Sequence, residues 1–333
     1  MHDLMTTTMT QKTMGGLGAG ERHGRTVWAL ALFTLIALQP ACGPEDYQKP
    51  IEQFQDASTV VINTTRTFLN NMNVIEQNEQ LDDMFFERKP LDLPGLNKVE
   101  IISLEEIRIR TAALDALTQY TSNLAQLAQG KAGSAVGDST TKLASSLKTL
   151  ASDAQKLPPT KATFLDNPKF SGIVGASASA VGAVAQLIVA HKARREIEQS
   201  IESNDAAVTS LIEQIGNDAT GAYLRQQSQL GAYGDQLTRD YSVEIKGTPD
   251  PILLLSLAST VKNYRIQQSQ LSEANPATAI DKLKKAHEAL VSYLKSGKNP
   301  KTLAQFVNAV QDFYTAAQPL GEAVHALISA GKS

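Results

Sequence analysis

The 333-residue sequence contains one cysteine, Cys42, and one tryptophan, Trp28. A single thiol excludes an intrachain disulfide, so a folded body must be held by buried area alone. Aromatic residues make up only 5% of the chain, whereas Ala, Leu, Gln, Ser and Thr abound, which suits slender helices packed closely. Runs that alternate apolar with polar residues, the mark of half-buried strands, are almost absent. Neither sign of charge dominates: 31 Lys and Arg stand against 34 Asp and Glu. Such a balance provides no electrostatic footprint for nucleic acid.

Long apolar runs are also scarce, and the clearest lies near the start. Residues 26–38 (TVWALALFTLIAL) follow a basic stretch with Arg22 and Arg25 and precede Gln39, Pro40, Ala41 and Cys42. As a helix this run spans about 20 Å, short of the ~30 Å hydrocarbon core of a bilayer. A basic region, a short apolar region and a small residue before a cut describe a secretory signal peptide. The end of the segment resembles the lipobox of bacterial lipoproteins, with Leu38 four places before Cys42 and Gln39-Pro40 in place of a small residue. The resemblance implies that Cys42 becomes the lipidated N-terminus of the mature chain. Two or more acyl chains then hold that terminus stably at a membrane. Gly43 stands where an Asp would resemble an inner-membrane retention signal, so an outer-membrane lipoprotein facing the periplasm or the cell surface is expected. Met14 offers a start that gives the signal peptide an ordinary length.

Removing residues 1–41, with three Lys or Arg and two Asp or Glu, leaves 28 cationic and 32 anionic side chains, a net charge of −4. The expected fold is all-α, an elongated bundle of long antiparallel amphipathic helices. Residues 42–50 form a lipidated cysteine and short tether, 51–157 an N-terminal helical bundle, and 158–169 a linker. Residues 170–331 supply C-terminal helices packed with the first half. Ile51, Phe54, Ser58, Val61, Thr65, Phe68, Met72 and Ile75 recur at spacings of three and four, a heptad seam on one helix. Ser103 and Glu106 form a capping box for the next. Asn204-Asp205 marks a break and a cap, 247–251 a turn, and Pro319 a kink or split in the last helix.

Catalytic motifs fall away on inspection. Ser139–Lys142, Ser145–Lys148 and Ser292–Lys295 each match S-x-x-K, but no S-D-N, K-T-G or mixed α/β pattern accompanies them. After cleavage three histidines remain, His191, His287 and His325. None has the i, i+4 partner of a helical metal site, and His287 and His325 are expected in surface or boundary packing. No catalytic residue, metal or cofactor is therefore expected.

One stretch stands apart: residues 170–190, 21 residues without a charge and rich in Gly, Ala and Ser. It includes Phe170, Val174, Gly182, Val184 and Ile188. As a buried central helix it would let neighbours approach closely; as a helix in lipid it could just span a bilayer. The leading functional expectation is a non-enzymatic, lipid-anchored helical envelope protein that binds a protein partner or plays a structural role. The alternative is a membrane-active protein that inserts 170–190.

Overall fold

The computed structural model describes residues 48–87, 89–130, 182–183, 194–248 and 250–330, all within one compact unit, Cys42–Ser333. It is an all-α bundle with no strand among the described residues. The principal elements are α1 (Gln48–Phe86), the one-turn α2 (Leu93–Leu96), α3 (Leu104–Ala128), α4 (Arg194–Ser203), α5 (Asp205–Glu244), α6 (Pro251–Glu273), α7 (Ala277–Lys295) and α8 (Pro300–Ala330).

Helix α1 is 39 residues long, about 58 Å at 1.5 Å per residue. Its seam is buried as the spacing predicts: Ile51, Phe54, Ser58, Val61, Thr65, Phe68 and Met72 are all inaccessible to solvent or nearly so. The two hydroxyls in that seam are satisfied within the helix. Ser58 Oγ donates to the Phe54 carbonyl at 2.6 Å and Thr65 Oγ1 to the Val61 carbonyl at 2.8 Å. Back-bonding of this kind lets Ser and Thr sit in an apolar interface without a stranded donor.

Helix ends follow local chemistry. Ser103 Oγ accepts from the Glu106 N–H at 3.2 Å while Glu106 Oε2 accepts from the Ser103 N–H at 3.0 Å, a complete capping box. Gly130, with φ +65°, follows α3 in the left-handed conformation that glycine adopts freely. The chain does break between α4 and α5, but the Asn204 side chain makes no cap there. Its amide donates instead to the Ser200 carbonyl at 2.7 Å. Asp250 caps α6 through the Ile252 N–H at 2.9 Å, after the turn expected at 247–251. Pro319 lies inside α8 without splitting it.

Cross-links between helices fix their directions. Arg66 meets Asp115, Gln129 meets Glu52, and Asn73 meets the backbone of Ile102, so α3 runs antiparallel to α1. Gln226 reaches the Phe68 carbonyl, Gln229 reaches Glu76 and Gln236 reaches Asp83; α5 therefore runs parallel to α1. Helix α8 does likewise, with Phe313 beside Phe54 and Gly321 against Val60. Helices α6 and α7 descend along α5 in turn, as the pairs Tyr264 with Tyr233 and Lys284 with Glu213 show.

These registers give the bundle a thick end and a thin end. Helix α3 begins beside Asn73, and α8 ends near the same level. Beyond it only α1, α5 and α6 continue among the long described helices, with α2 beside α1. The main core cluster draws on α1, α3, α5, α7 and α8. Leu237 and Leu257, in the thin end, are buried but lie outside that cluster.

The ring of Phe313, fully buried against Phe54, belongs to the thick end. Phe313→Ala should cost about 3–5 kcal/mol of stability, the usual range for deleting a buried ring. A lowered urea midpoint would show it, and an unchanged midpoint would contradict this account of the core.

Candidate functional site

Of the residues singled out in the sequence, Cys42, Phe170, Val174, Val184 and Ile188 lie outside the described residues, as do Ser139–Lys142, Ser145–Lys148, His191 and the linker 158–169. Gly182 is helical and buried. His325 is exposed. His287 is a correction to the expectation of surface or boundary packing: it has no solvent exposure at all. Its partners come from helices remote in sequence, so its own neighbours along the chain carry no sign of them.

His287 on α7 sits between α3 and α5. Its Nδ1 lies 3.3 Å from the Tyr120 hydroxyl, and the two rings meet edge to face with centroids 5.7 Å apart. Its Nε2 lies 3.2 Å from Asp205 Oδ1, within ion-pairing reach though not in line with the ring N–H. Lys295, one helix end away, is 3.3 Å from the other Asp205 oxygen. Burial, with the nearby Asp205 charge adding to it, pushes the Tyr120 phenol well above its ordinary range, so it stays a proton donor. With Tyr120 donating to Nδ1, the ring proton is assigned to Nε2, facing Asp205. The polar contact with His287 leads the effects that hold the Asp205 carboxyl down to about 2, with Lys295 assisting and partial burial opposing. The same Lys295 completes the S-x-x-K at 292–295, and its engagement with Asp205 gives it a structural role.

A second interior cluster lies about three turns away along α3 and α5. Arg110 of α3 and Asp218 of α5 form an ion pair with both side chains about 95% buried, and Gln214 donates to the same carboxylate oxygen at 2.9 Å. Burial raises the Asp218 carboxyl to about 6, against the pull of Arg110 and Gln214. A Tyr, His and Asp in contact can relay a proton, but a fully buried imidazole offers a substrate no approach. Both clusters therefore read as devices that set helix register, the best-attested use of buried polar groups. Among the described residues no group of three or more His, Cys, Asp or Glu side chains could hold a metal ion.

The surface that solvent does reach is uneven. Twelve large apolar side chains are exposed among the described residues, and all but Leu224 lie at or beyond the level of Asn73, in the thin end. Val243 on α5 is 72% exposed, and Ile252 and Leu255 on α6 are 81% and 74% exposed. Exposed apolar residues gathered at one end mark an interaction surface more than they mark ordinary surface scatter. The sequence signal was Ile252-Leu253-Leu254-Leu255, four consecutive apolar residues that no single helix face can bury.

No protein-family model, curated protein or solved structure matches the chain.

The interior clusters make stability depend on pH in two opposed ways. Asp218 titrates near 6 folded and 3.8 by default, so the folded state takes up its proton first and stability rises as pH falls from about 7 to about 4. Asp205, at about 2 folded against 3.8 by default, stabilises above about pH 4, and that contribution is lost as pH falls through about 2. Urea midpoints measured across pH should show the rise flattened in Asp218→Asn and the low-pH fall flattened in Asp205→Asn; parallel curves for variant and parent would contradict the assignment.

The Arg110–Asp218 pair gives a further expectation. Asp218→Ala alone should cost about 3–5 kcal/mol because it takes a carboxylate partner from a buried guanidinium, whereas Arg110→Met with Asp218→Leu should recover most of that loss. A double variant as unstable as the single one would show that the pair is not the source of the cost.

Proposed function

We propose that the mature chain is a non-enzymatic, lipid-anchored helical protein of the bacterial cell envelope, with a binding or structural role. The observation that carries this reading is the position of the only cysteine, directly after the short apolar segment 26–38 and the small residue Ala41. Diacylation there fixes residue 42 at a bilayer, with an outer-membrane location favoured by Gly43. Gln48, the first residue of α1, is six positions after Cys42, at most about 22 Å when extended, so the folded body starts close to the lipid surface. Helix α1 then carries the thin, apolar end of the bundle some 58 Å from its own start.

Among the described residues, the interior groups Tyr120, His287 and Asp205, and Arg110 and Asp218, engage one another across α3, α5 and α7, and the exposed apolar groups suit protein contact. No described helix is long and apolar enough to cross a membrane.

Cys42→Ser should abolish incorporation of labelled palmitate and release the protein from the membrane fraction of bacterial cells. Retention of the variant in membranes would place the attachment elsewhere in the chain and overturn the anchor.

A further inference from the structure

The hairpin of α5 and α6 reaches past the end of α1. Gln236 of α5 donates to Asp83 of α1, which sets the two residues level. From there α1 runs three residues further, to Phe86, whereas α5 runs eight, to Glu244. The tip therefore extends about 7 Å beyond α1 before its turn begins, at 1.5 Å per residue. Its exposed large side chains are apolar: Tyr241, Val243 and Ile245 are 45%, 72% and 48% exposed, and Ile252 and Leu255 are 81% and 74% exposed. Helix residues turn by about 100° each, so Val243 stands on the side of α5 opposite Tyr241. The tip is convex and apolar on more than one side.

We propose that this tip is a lipid-contact element, which dips its apolar side chains into the headgroup region of a bilayer. At the tip itself, shape favours lipid over protein. A protein partner needs a socket that closes on opposite sides of the protrusion, and two copies meeting tip to tip bury little area. A fluid bilayer surrounds a convex apolar tip without either requirement. The reach beyond α1 also falls within the depth of about 5–10 Å at which interfacial apolar faces sit. Tyr241, with an apolar ring and a polar hydroxyl, is of the type enriched at that boundary. Lys246, exposed in the turn, can raise its cation to the phosphates while its stem stays in the apolar layer.

Polar groups of the turn are answered inside it, which lowers the cost of leaving water. Glu244 accepts from the Asp250 N–H at 3.0 Å, and Asp250 accepts from the Ile252 N–H at 2.9 Å. The N–H groups of Ile245, Lys246 and Gly247 donate to the carbonyls of Tyr241, Val243 and Glu244. Behind the tip, Glu87 pairs with Lys89, Asp92 accepts from the Gly95 N–H, and the half-buried Asp240 lies near both Arg239 and Asp83. Residues 241–255 carry Glu244, Lys246 and Asp250 alone, a net charge of −1. Apolar area, rather than attraction to anionic lipid, is then the driving force. The contact goes beyond the anchored reading and does not depend on it.

Because Cys42 is the only native thiol, residues 43–333, which hold every described helix, form a body free of cysteine and of lipid. On zwitterionic phosphatidylcholine vesicles, an NBD label at Ile252→Cys in this body should brighten about threefold, shift to the blue and be quenched by a nitroxide carried in the bilayer. The same label at Glu288→Cys, exposed on α7 in the thick end, should stay unchanged. Ile252→Asp with Leu255→Asp should lower partitioning onto the vesicles at least about tenfold, with the urea midpoint unchanged because both positions are exposed. A label at 252 that stays dim on vesicles would overturn the proposal. So would equal brightening at 288, or a double variant that partitions like its parent. A label at 252 already bright without vesicles, in a body that sediments as a dimer, would show that a second copy covers the tip and would overturn it too. With Cys42 absent, none of these outcomes turns on whether that residue is lipidated.

Discussion

Every long described helix of the thick end leans on the buried stripe of α1. With no disulfide available, the bundle depends on keeping that stripe dry over its first 25 residues, from Ile51 to Met72. Helices α3, α5, α7 and α8 each contact it, and together they surround it. A small number of aromatic rings supplies the bulk at the points of closest need, Phe54 against Phe313 and Phe68 against Tyr223. Between them Ala, Ser and Thr keep the helices close, and hydroxyls bonded to their own helix remove the penalty such residues would otherwise carry.

Apolar stripes alone leave neighbouring helices free to slide by a turn, because each heptad resembles the next. The buried polar groups remove that freedom. Arg110 finds Asp218 only in one register of α3 on α5, and His287 reaches both Tyr120 and Asp205 only when α3, α5 and α7 are all in place. Asn73 does the same for the entry to α3. Its side-chain oxygen accepts from the Ile101 and Ile102 N–H groups at 2.9 and 3.1 Å, and its amide donates to the Ile102 carbonyl. Each of these groups adds little net stability when satisfied but costs much when mispaired. Specificity of register is the consequence.

The legible parts of the fold were those written in local spacing. The α1 seam, the Ser103–Glu106 box and the turn before α6 follow from patterns a few residues long. His287 was misplaced because its environment is made by Tyr120 and Asp205, 167 and 82 positions away in the sequence, and no local pattern announces partners at that distance. Asn204 was read as a cap, but its amide had a nearer acceptor in the preceding turn. The four consecutive apolar residues Ile252–Leu255 leave the inner face of α6 undefined by spacing alone. The residues expected to matter most in 170–190 fall outside the described region apart from Gly182, which is buried.

The contrast between the two ends of the bundle connects packing to role. In the thick end, several helices share one core, and opening any of them exposes the others' apolar faces, so local and global unfolding should be closely linked. The thin end is joined differently: among the described residues Leu237 and Leu257 are buried there, Tyr233 meets Tyr264, and polar pairs such as Gln229 with Glu76 and Gln236 with Asp83 link α5 to α1. It also holds nearly all of the exposed large apolar side chains. A protein that needed only to be stable would bury Ile252 and Leu255 or replace them with polar residues at little cost. Their retention at this end is the arrangement expected where apolar surface is held for an encounter between molecules, on a base that keeps it at a set distance from the start of α1.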